Sequence, residues 1–204
     1  MCIRDRAYVS LFPQLIAGPI VRYADVAGQI DARSFDAADA FYGATRFCIG
    51  LAKKVLLADA AGKVAAQILD GSAASATTAA AWLGIVLYTF EIYFDFSGYS
   101  DMAIGMGRIF GFKYPENFRL PYTSRSITEF WRRWHISLGS FFRDYVYIPL
   151  GGKKKHQLLN MAVVWALTGL WHGASWNFVL WGMFFGVLIV LEKLIAPVLE
   201  RIPG

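Results

Sequence analysis

Two strongly apolar regions dominate the hydrophobic pattern, and both predict membrane-spanning helices. At about 1.5 Å per residue, the run from Ala79 to Phe96 would cross most of a hydrocarbon core of roughly 30 Å. Residues 157–191 contain no Asp, Glu, Lys or Arg. This uncharged run is longer than one membrane span needs, but it is too short for two full spans and a loop. A helix break between Gly169 and Gly173 is therefore predicted, with His172 at membrane depth.

The first third of the chain predicts shorter elements at the membrane surface. Ala7–Val21 is apolar but short, and it contains two prolines, so a re-entrant or interfacial segment fits better than a simple span. Ser34 is the predicted N-cap of a helix that continues through FYGATRFCIGLAKKVLLADA. Lys53 and Lys54 interrupt the apolar character of this helix, which predicts an interfacial position with both ammonium groups reaching toward lipid head groups.

The centre of the chain predicts a second helix directly after the first span. Gly98 is the predicted break, and the following helix carries Asp101 through Phe110. Gly105 and Gly107 lie inside this apolar helix, where they indicate close packing against a neighbouring helix.

A further helix is predicted to begin at Ser126, with Glu129 at the capping-box position. At about 100° per residue, its aromatic side chains fall in an arc of roughly 120°, while Arg132, Arg133 and Arg143 lie outside that arc. This pattern predicts an amphipathic helix at the membrane surface or in the wall of a cytoplasmic funnel.

Composition supports a membrane protein. The chain is 56% hydrophobic and 17% charged over 204 residues. That balance excludes an intrinsically disordered chain, and two cysteines exclude a disulfide scaffold.

The net charge of +5 is concentrated in one segment. Half of the 20 Lys and Arg lie between Arg108 and Lys155, among only three acidic residues. Residues 113–156 are therefore predicted to be a basic cytoplasmic loop with its amphipathic helix, in agreement with the positive-inside rule. The predicted partner of this basicity is the lipid bilayer, and no nucleic acid is expected because no soluble basic module is present.

His172 is the first candidate for chemistry. A histidine in an apolar segment is more often a packing residue, but a glycine break can open backbone to a cavity, and desolvation favours the neutral imidazole that a general base needs. His135 lies at the border between the aromatic arc and Arg132, which alone is a weak signal. His156 follows three lysines and is assigned no role.

Intramembrane carboxylates leave a second function open. Glu91 and Asp95 lie in the first apolar run, either facing a protein interior or near a helix end at the interface. With His172 they would suit an ion- or proton-coupled transporter, although no inverted internal repeat is found. The spacing of these groups matches no familiar metal motif, and no metal site is predicted.

Four strings are more specific than composition: FPQLIAGPI, IYFDFSGYSDMAIGMGRIFGF, ITEFWRRWHISLGSFFRDYVYIPLGG and LTGLWHGASWNFVLWG, in this order. Together they resemble the membrane-bound O-acyltransferase (MBOAT) family, in particular its bacterial members that act on exopolysaccharides or cell-wall polymers. The resemblance implies an all-α, polytopic membrane protein with broken and interfacial amphipathic helices around a central histidine-containing tunnel.

The resemblance also implies roles for particular residues. It makes His172, in the LWHG motif, the catalytic residue, and His135, in WHISL, the second functional position. Basic residues, notably Arg132, Arg133 and Arg143, become candidates for attracting an anionic acyl-CoA, although the positive-inside rule explains them without a ligand. The remaining candidates for substrate binding are Trp131, Trp171 and Asp95.

The donor implied by the resemblance is acetyl-CoA or another acyl thioester, with no tightly bound cofactor. A polysaccharide acceptor is implied, together with a periplasmic or extracellular acetyltransferase partner that completes the transfer. The expected location is the bacterial inner membrane, in a multi-pass arrangement. Residues 1–204 are then expected to be one membrane-embedded core of a longer enzyme, truncated at both ends.

Overall fold

The computed structural model describes residues 3–14, 18–71 and 77–199, with side chains described to residue 196. Within these ranges the chain is helical and contains no β-strand. Two helices in the same ranges are long and apolar enough to cross a membrane, over Thr78–Ile109 and Trp176–Ala196. The chain divides into two compact units, residues 1–116 and 117–204.

The first unit contains five helices within the described ranges. They are α1 (Ile3–Val9), α2 (Tyr23–Asp31), α3 (Ala37–Ala52), α4 (Asp59–Leu69) and α5 (Thr78–Ile109). The predicted interfacial segment Ala7–Val21 is broken, as its prolines indicated: α1 ends within it, and a single 3₁₀ turn follows at Phe12–Gln14. Residues 15–17 of that segment lie outside the described residues.

The start of α3 differs from its prediction, because Asp36 and not Ser34 is the N-cap. The Asp36 Oδ1 accepts a hydrogen bond of 3.1 Å from the backbone N–H of Ala38. A carboxylate at this position both satisfies a free N–H group and complements the helix dipole.

Lys53 and Lys54 do mark an interruption, since a π-helical turn over Lys53–Ala58 joins α3 to α4. Their predicted reach toward head groups is wrong, however. The Lys53 Nζ lies 2.5 Å from a carboxylate oxygen of Asp101, and Lys54 pairs with Asp95 and Asp59. The lysines therefore neutralise carboxylates of their own unit.

The predicted break at Gly98 is also wrong, because α5 continues without interruption for 32 residues. A Cβ added at Gly98 would lie 2.7 Å from the carbonyl oxygen of Gly50, and a Cβ at Gly105 would lie 2.6 Å from that of Gly43. Both glycines thus allow the backbones of α3 and α5 to approach closely, in an antiparallel pair. The close-packing role predicted for Gly105 is confirmed, and Gly98 shares it.

A charged cluster lies in the same unit. Arg46 of α3 donates to Asp101 at 2.8 Å and to both carboxylate oxygens of Glu116 at 2.6 and 2.5 Å. The Arg46 side chain is only 15% exposed, so its charge depends on these partners.

In the second unit, the predicted amphipathic helix starts as expected but is not continuous. The Ser126 Oγ accepts from the Glu129 N–H at 3.0 Å, which confirms the cap. The helix ends after one short segment, α6 (Ile127–Arg133), and resumes as α7 (Ile136–Phe142). Between them His135 adopts a left-handed backbone with φ of +46°, so the predicted helical face does not extend past it.

The long uncharged region forms the two remaining helices, α8 (Gln157–His172) and α9 (Trp176–Leu199). The predicted break is present but begins at Gly173, so His172 is the last residue of α8. Gly169 is a packing position instead, because a Cβ there would lie 2.4 Å from the carbonyl oxygen of Phe178 in α9.

Candidate functional site

His135 lies in the turn between α6 and α7, and its side chain is buried, with 5% of the residue exposed. Its Nδ1 is 3.1 Å from the side-chain oxygen of Asn117. Because an amide oxygen only accepts, Nδ1 carries the hydrogen and Nε2 carries the lone pair. Burial, together with nearby His172, lowers the pKa of His135 to about 3, so this imidazole is neutral at ordinary pH.

His172 lies at the C-terminal end of α8, and its Nδ1 is 2.7 Å from the backbone oxygen of Thr168. A carbonyl oxygen accepts only, so the neutral ring again has its hydrogen on Nδ1 and its lone pair on Nε2. The residue is exposed in the described part of the chain, whereas His135 is buried.

One cavity of about 170 Å³ connects the two histidines, since both contribute to its wall. Trp171 contacts both rings, with centroid distances of 5.7 Å to His135 and 4.9 Å to His172. Leu138, Phe142 and Val164 make much of the remaining wall apolar. An apolar chamber with two oriented imidazole rings in its wall suits the binding of a hydroxyl group for proton transfer to a histidine.

Trp131 belongs to an aromatic cluster beside this cavity. Its ring centroid lies 4.9 Å from those of Trp165 in α8 and Phe185 in α9, in edge-to-face geometry. His172 joins the same cluster through Trp181, at 4.8 Å. The cluster holds α6, α8 and α9 together around the histidines.

The three candidate arginines separate in the structure. Arg132 and Arg143 line a second cavity of about 490 Å³, which shares Trp131 and Gly139 with the first. Arg143 also pairs with its neighbour Asp144 at 2.6 Å. Arg133 lines neither of these two cavities, and it donates to Glu129 at 2.5 Å and to the Thr123 hydroxyl at 2.8 Å.

Asp95 belongs to the first unit, where its carboxylate accepts from Lys54. The charge of Asp95 is therefore balanced by Lys54. Asp95 is not among the residues that line the histidine cavity. Within the described ranges, no group of three or more His, Cys, Asp or Glu side chains has the arrangement of a metal site.

Two partners of the histidines were not singled out from the sequence. Asn117 lies in an irregular loop, 18 residues before His135, and no local pattern connects the two. The Thr168 contact is a backbone carbonyl one helical turn before His172, a geometry that any residue type at position 168 could supply.

The sequence is similar to those of known acyltransferases. The model of the membrane-bound O-acyltransferase family, MBOAT, matches residues 6–203. The chain is 48% identical over 193 residues to the probable alginate O-acetylase of Pseudomonas fluorescens, covering 93% of this chain and 39% of that protein.

Relatives with other names match less closely. The peptidoglycan O-acetyltransferase of Helicobacter pylori is 42% identical over 192 residues, covering 91% of this chain and 36% of that protein. The teichoic acid D-alanyltransferase of Bacillus subtilis is 33% identical over 199 residues, covering 89% and 49% respectively. The chain thus spans less than half the length of these relatives. Since the family model matches nearly every residue, the chain belongs to the membrane-bound O-acyltransferase family.

Proposed function

We propose that this chain forms the core of an O-acyltransferase that moves an acetyl group from a cytoplasmic thioester toward a hydroxyl of an exopolysaccharide or cell-wall polymer. The observation that carries the proposal is the cavity shared by His135 and His172. Each ring has its Nδ1 engaged by an acceptor, which leaves the basic lone pair on Nε2. The alginate O-acetylase and peptidoglycan O-acetyltransferase names of the relatives support the reaction type.

His172 is the proposed general base. Its Nε2 takes the proton from the acceptor hydroxyl while the oxygen attacks the thioester carbonyl carbon. The new C–O bond forms, the C–S bond breaks, and the proton passes from Nε2 to the departing sulfur, giving an ester and a free thiol. His135 orients the donor or the acceptor from the wall of the same cavity.

The names of the alginate O-acetylase and peptidoglycan O-acetyltransferase relatives favour acetyl as the acyl group. The donor is then acetyl-CoA or a similar thioester, bound as a substrate. Arg132 and Arg143 line the larger neighbouring cavity and are candidates for binding the anionic part of this donor. The alternative is that these positive charges only set the orientation of the chain in the membrane.

The polymer itself lies outside the cell interior in this proposal. A polysaccharide acceptor therefore requires either direct transfer at the outer face or a periplasmic or extracellular partner that receives the acetyl group first. Multiple spans in the bacterial inner membrane, with the two histidines lining a central tunnel, would connect the cytoplasmic donor to that acceptor. Two candidate spans in the described residues support a membrane position.

The test is polymer acetylation in cells that express the full-length protein as wild type, His172→Ala, His135→Ala or His156→Asn. The last variant is the matched control: His156 is exposed, outside both cavities and left-handed at φ of +48°, a conformation that asparagine tolerates. We expect acetylation to fall by at least 100-fold in His172→Ala and to stay near wild type in His156→Asn.

Undiminished acetylation in His172→Ala protein at equal membrane abundance would contradict the assignment. The transporter interpretation predicts a different result, measured with purified protein. Ion or proton flux in proteoliposomes that follows substitution of Glu91 or Asp95, without acyl transfer, would replace the proposed function.

A further inference from the structure

Asn117 is the most completely buried polar residue near the histidines, with 1% of its surface exposed. Its side-chain oxygen lies 3.1 Å from Nδ1 of His135, 3.2 Å from the backbone nitrogen of Ser137 and 2.9 Å from the Ser137 hydroxyl. Its backbone oxygen accepts from the N–H of Ile136 at 2.9 Å. One residue thus contacts three consecutive residues at the start of α7.

These contacts replace an ordinary helix cap. His135 occupies the N-cap position of α7, but its side chain makes no capping hydrogen bond. The first N–H groups of the helix have no partner within it. That of Ile136 donates to the backbone oxygen of Asn117, and that of Ser137 donates to the side-chain oxygen. Asn117 therefore stabilises the turn in which His135 has its left-handed backbone.

The same contacts determine the hydrogen position on His135. The backbone nitrogen of Ser137 can only donate, so the atom of Asn117 that it contacts is the oxygen and not the amide nitrogen. That oxygen can only accept, so Nδ1 of His135 must be the donor. The neutral ring is consequently held as the Nδ1–H tautomer, with the lone pair on Nε2.

We propose that Asn117 is a positioning residue of the acyl transfer, because it fixes both the tautomer and the orientation of His135. The inference rests on the proposed function for its kinetic consequence, but the tautomer assignment is independent of it. A purely structural cap would stabilise α7 without influencing the ring. Ser137 and His135 share the same acceptor atom, so the two roles are separated by the tautomer of His135, which a helix cap alone would not change.

The experiment compares Asn117→Leu, Asn117→Asp and Ser137→Ala in the full-length protein, purified in nanodiscs. Asn117→Leu has a similar volume but no acceptor, Asn117→Asp keeps an acceptor in place, and Ser137→Ala removes only the hydroxyl donor. Nitrogen-15 NMR of the labelled histidines reports the His135 tautomer, and kcat and KM are measured with acetyl-CoA and a soluble polysaccharide acceptor.

We expect Asn117→Leu to lose the single Nδ1–H tautomer and to lower kcat by about 10- to 100-fold with a much smaller change in KM. Asn117→Asp is expected to keep the tautomer and to recover most of kcat, and Ser137→Ala to resemble wild type. A retained tautomer and unchanged kcat in folded Asn117→Leu would overturn the proposal, as would a Ser137→Ala loss equal to that of Asn117→Leu.

Asn117→Asp decides the question if Asn117→Leu does not fold. The stronger acceptor should shift the Nδ1 proton resonance of His135 downfield, and an unchanged resonance would overturn the proposal. A wild-type protein that shows the Nδ1–H tautomer but transfers no acyl group would instead remove the proposed function and leave the positioning geometry standing.

Discussion

At the scale of single residues, the two histidines have the same tautomer but differ in burial. His135 is buried against an asparagine and a tryptophan, whereas His172 is exposed at a helix end. Each donates from Nδ1 to a fixed oxygen, at 3.1 and 2.7 Å. A fixed donor on one nitrogen orients the basic lone pair of the other, which is what a positioned general base requires.

Burial of neutral His135 predicts sensitivity to acid. Its pKa of about 3 in the folded state lies below the unfolded value of 6.5, so the unfolded chain binds more protons between these values. The stabilisation is therefore present above pH 6.5 and is lost as the pH falls toward about 3, by up to about 1.4 kcal/mol per pH unit.

The measurement is denaturant unfolding in detergent between pH 7 and pH 4. His135→Asn removes the titrating group and should flatten this dependence, while His156→Asn should leave it unchanged. Equal pH slopes in wild type and His135→Asn would contradict the burial of a neutral imidazole at this position.

At the scale of helices, α3 and α5 are joined by close glycine contacts and by ion pairs. Gly98→Ala should lower the free energy of unfolding by about 1–3 kcal/mol, because the new methyl would lie 2.7 Å from the Gly50 carbonyl oxygen. Gly28→Ala in α2 is the matched control, since nothing lies within 4 Å of its added Cβ. It should stabilise by about 0.5–1 kcal/mol through its lower backbone entropy. Equal effects of the two substitutions would refute the close approach.

Arg46 gives a second prediction at this scale. Among the described residues, Arg46→Gln leaves Asp101 paired with Lys53 and leaves Glu116 without its bidentate donor. We therefore expect the free energy of unfolding to fall by about 2–3 kcal/mol, a value discounted because Glu116 is partly exposed. Arg143→Gln, which breaks an exposed pair with its sequence neighbour, should cost less than about 1 kcal/mol. The same denaturant assay compares them, and a smaller loss for Arg46→Gln than for Arg143→Gln would be inconsistent with this network.

Helix positions were predictable from the sequence where the signal is local, and not where it is tertiary. Ser126 is a local cap, and the structure confirms it, although the Glu129 carboxylate accepts from the N–H of Arg125 and not from that of Ser126. A glycine, by contrast, can either break a helix or let another helix pack closely against it. Gly98 has the packing role because Gly50 of α3 lies opposite, and the sequence around Gly98 does not show this contact. The break at His135 depends on Asn117, which no periodicity within residues 126–148 reveals.

The candidate site follows the same division. Both histidines and Trp171 were identified from motifs. The structure places the two histidines in the wall of one cavity, and Trp171 contacts both rings. Asp95 was grouped with them on its position in an apolar run, but Lys54 neutralises it within the first unit. The contact between Asn117 and His135 could not be predicted from the sequence, because an isolated Asn in a loop resembles any other turn residue.

At the scale of the whole molecule, basic charge gives a testable orientation. Residues 113–156 are predicted to face the cytoplasm, and Lys154 is exposed. In a background with Cys2→Ser and Cys48→Ser, Lys154→Cys should react with a membrane-impermeant maleimide only in inverted vesicles. Labelling in intact spheroplasts would reverse the predicted orientation.

The claim that most needs a direct test is that His135 and His172 act together on one substrate in one cavity. The decisive measurement is kcat for acetyl transfer by the full-length protein as wild type, His135→Gln, His172→Gln and the double variant. Groups that act as a unit lose activity non-additively, so we expect the double variant to be little slower than His172→Gln alone. A double loss equal to the product of the two single losses, or full activity in His172→Gln, would contradict the account.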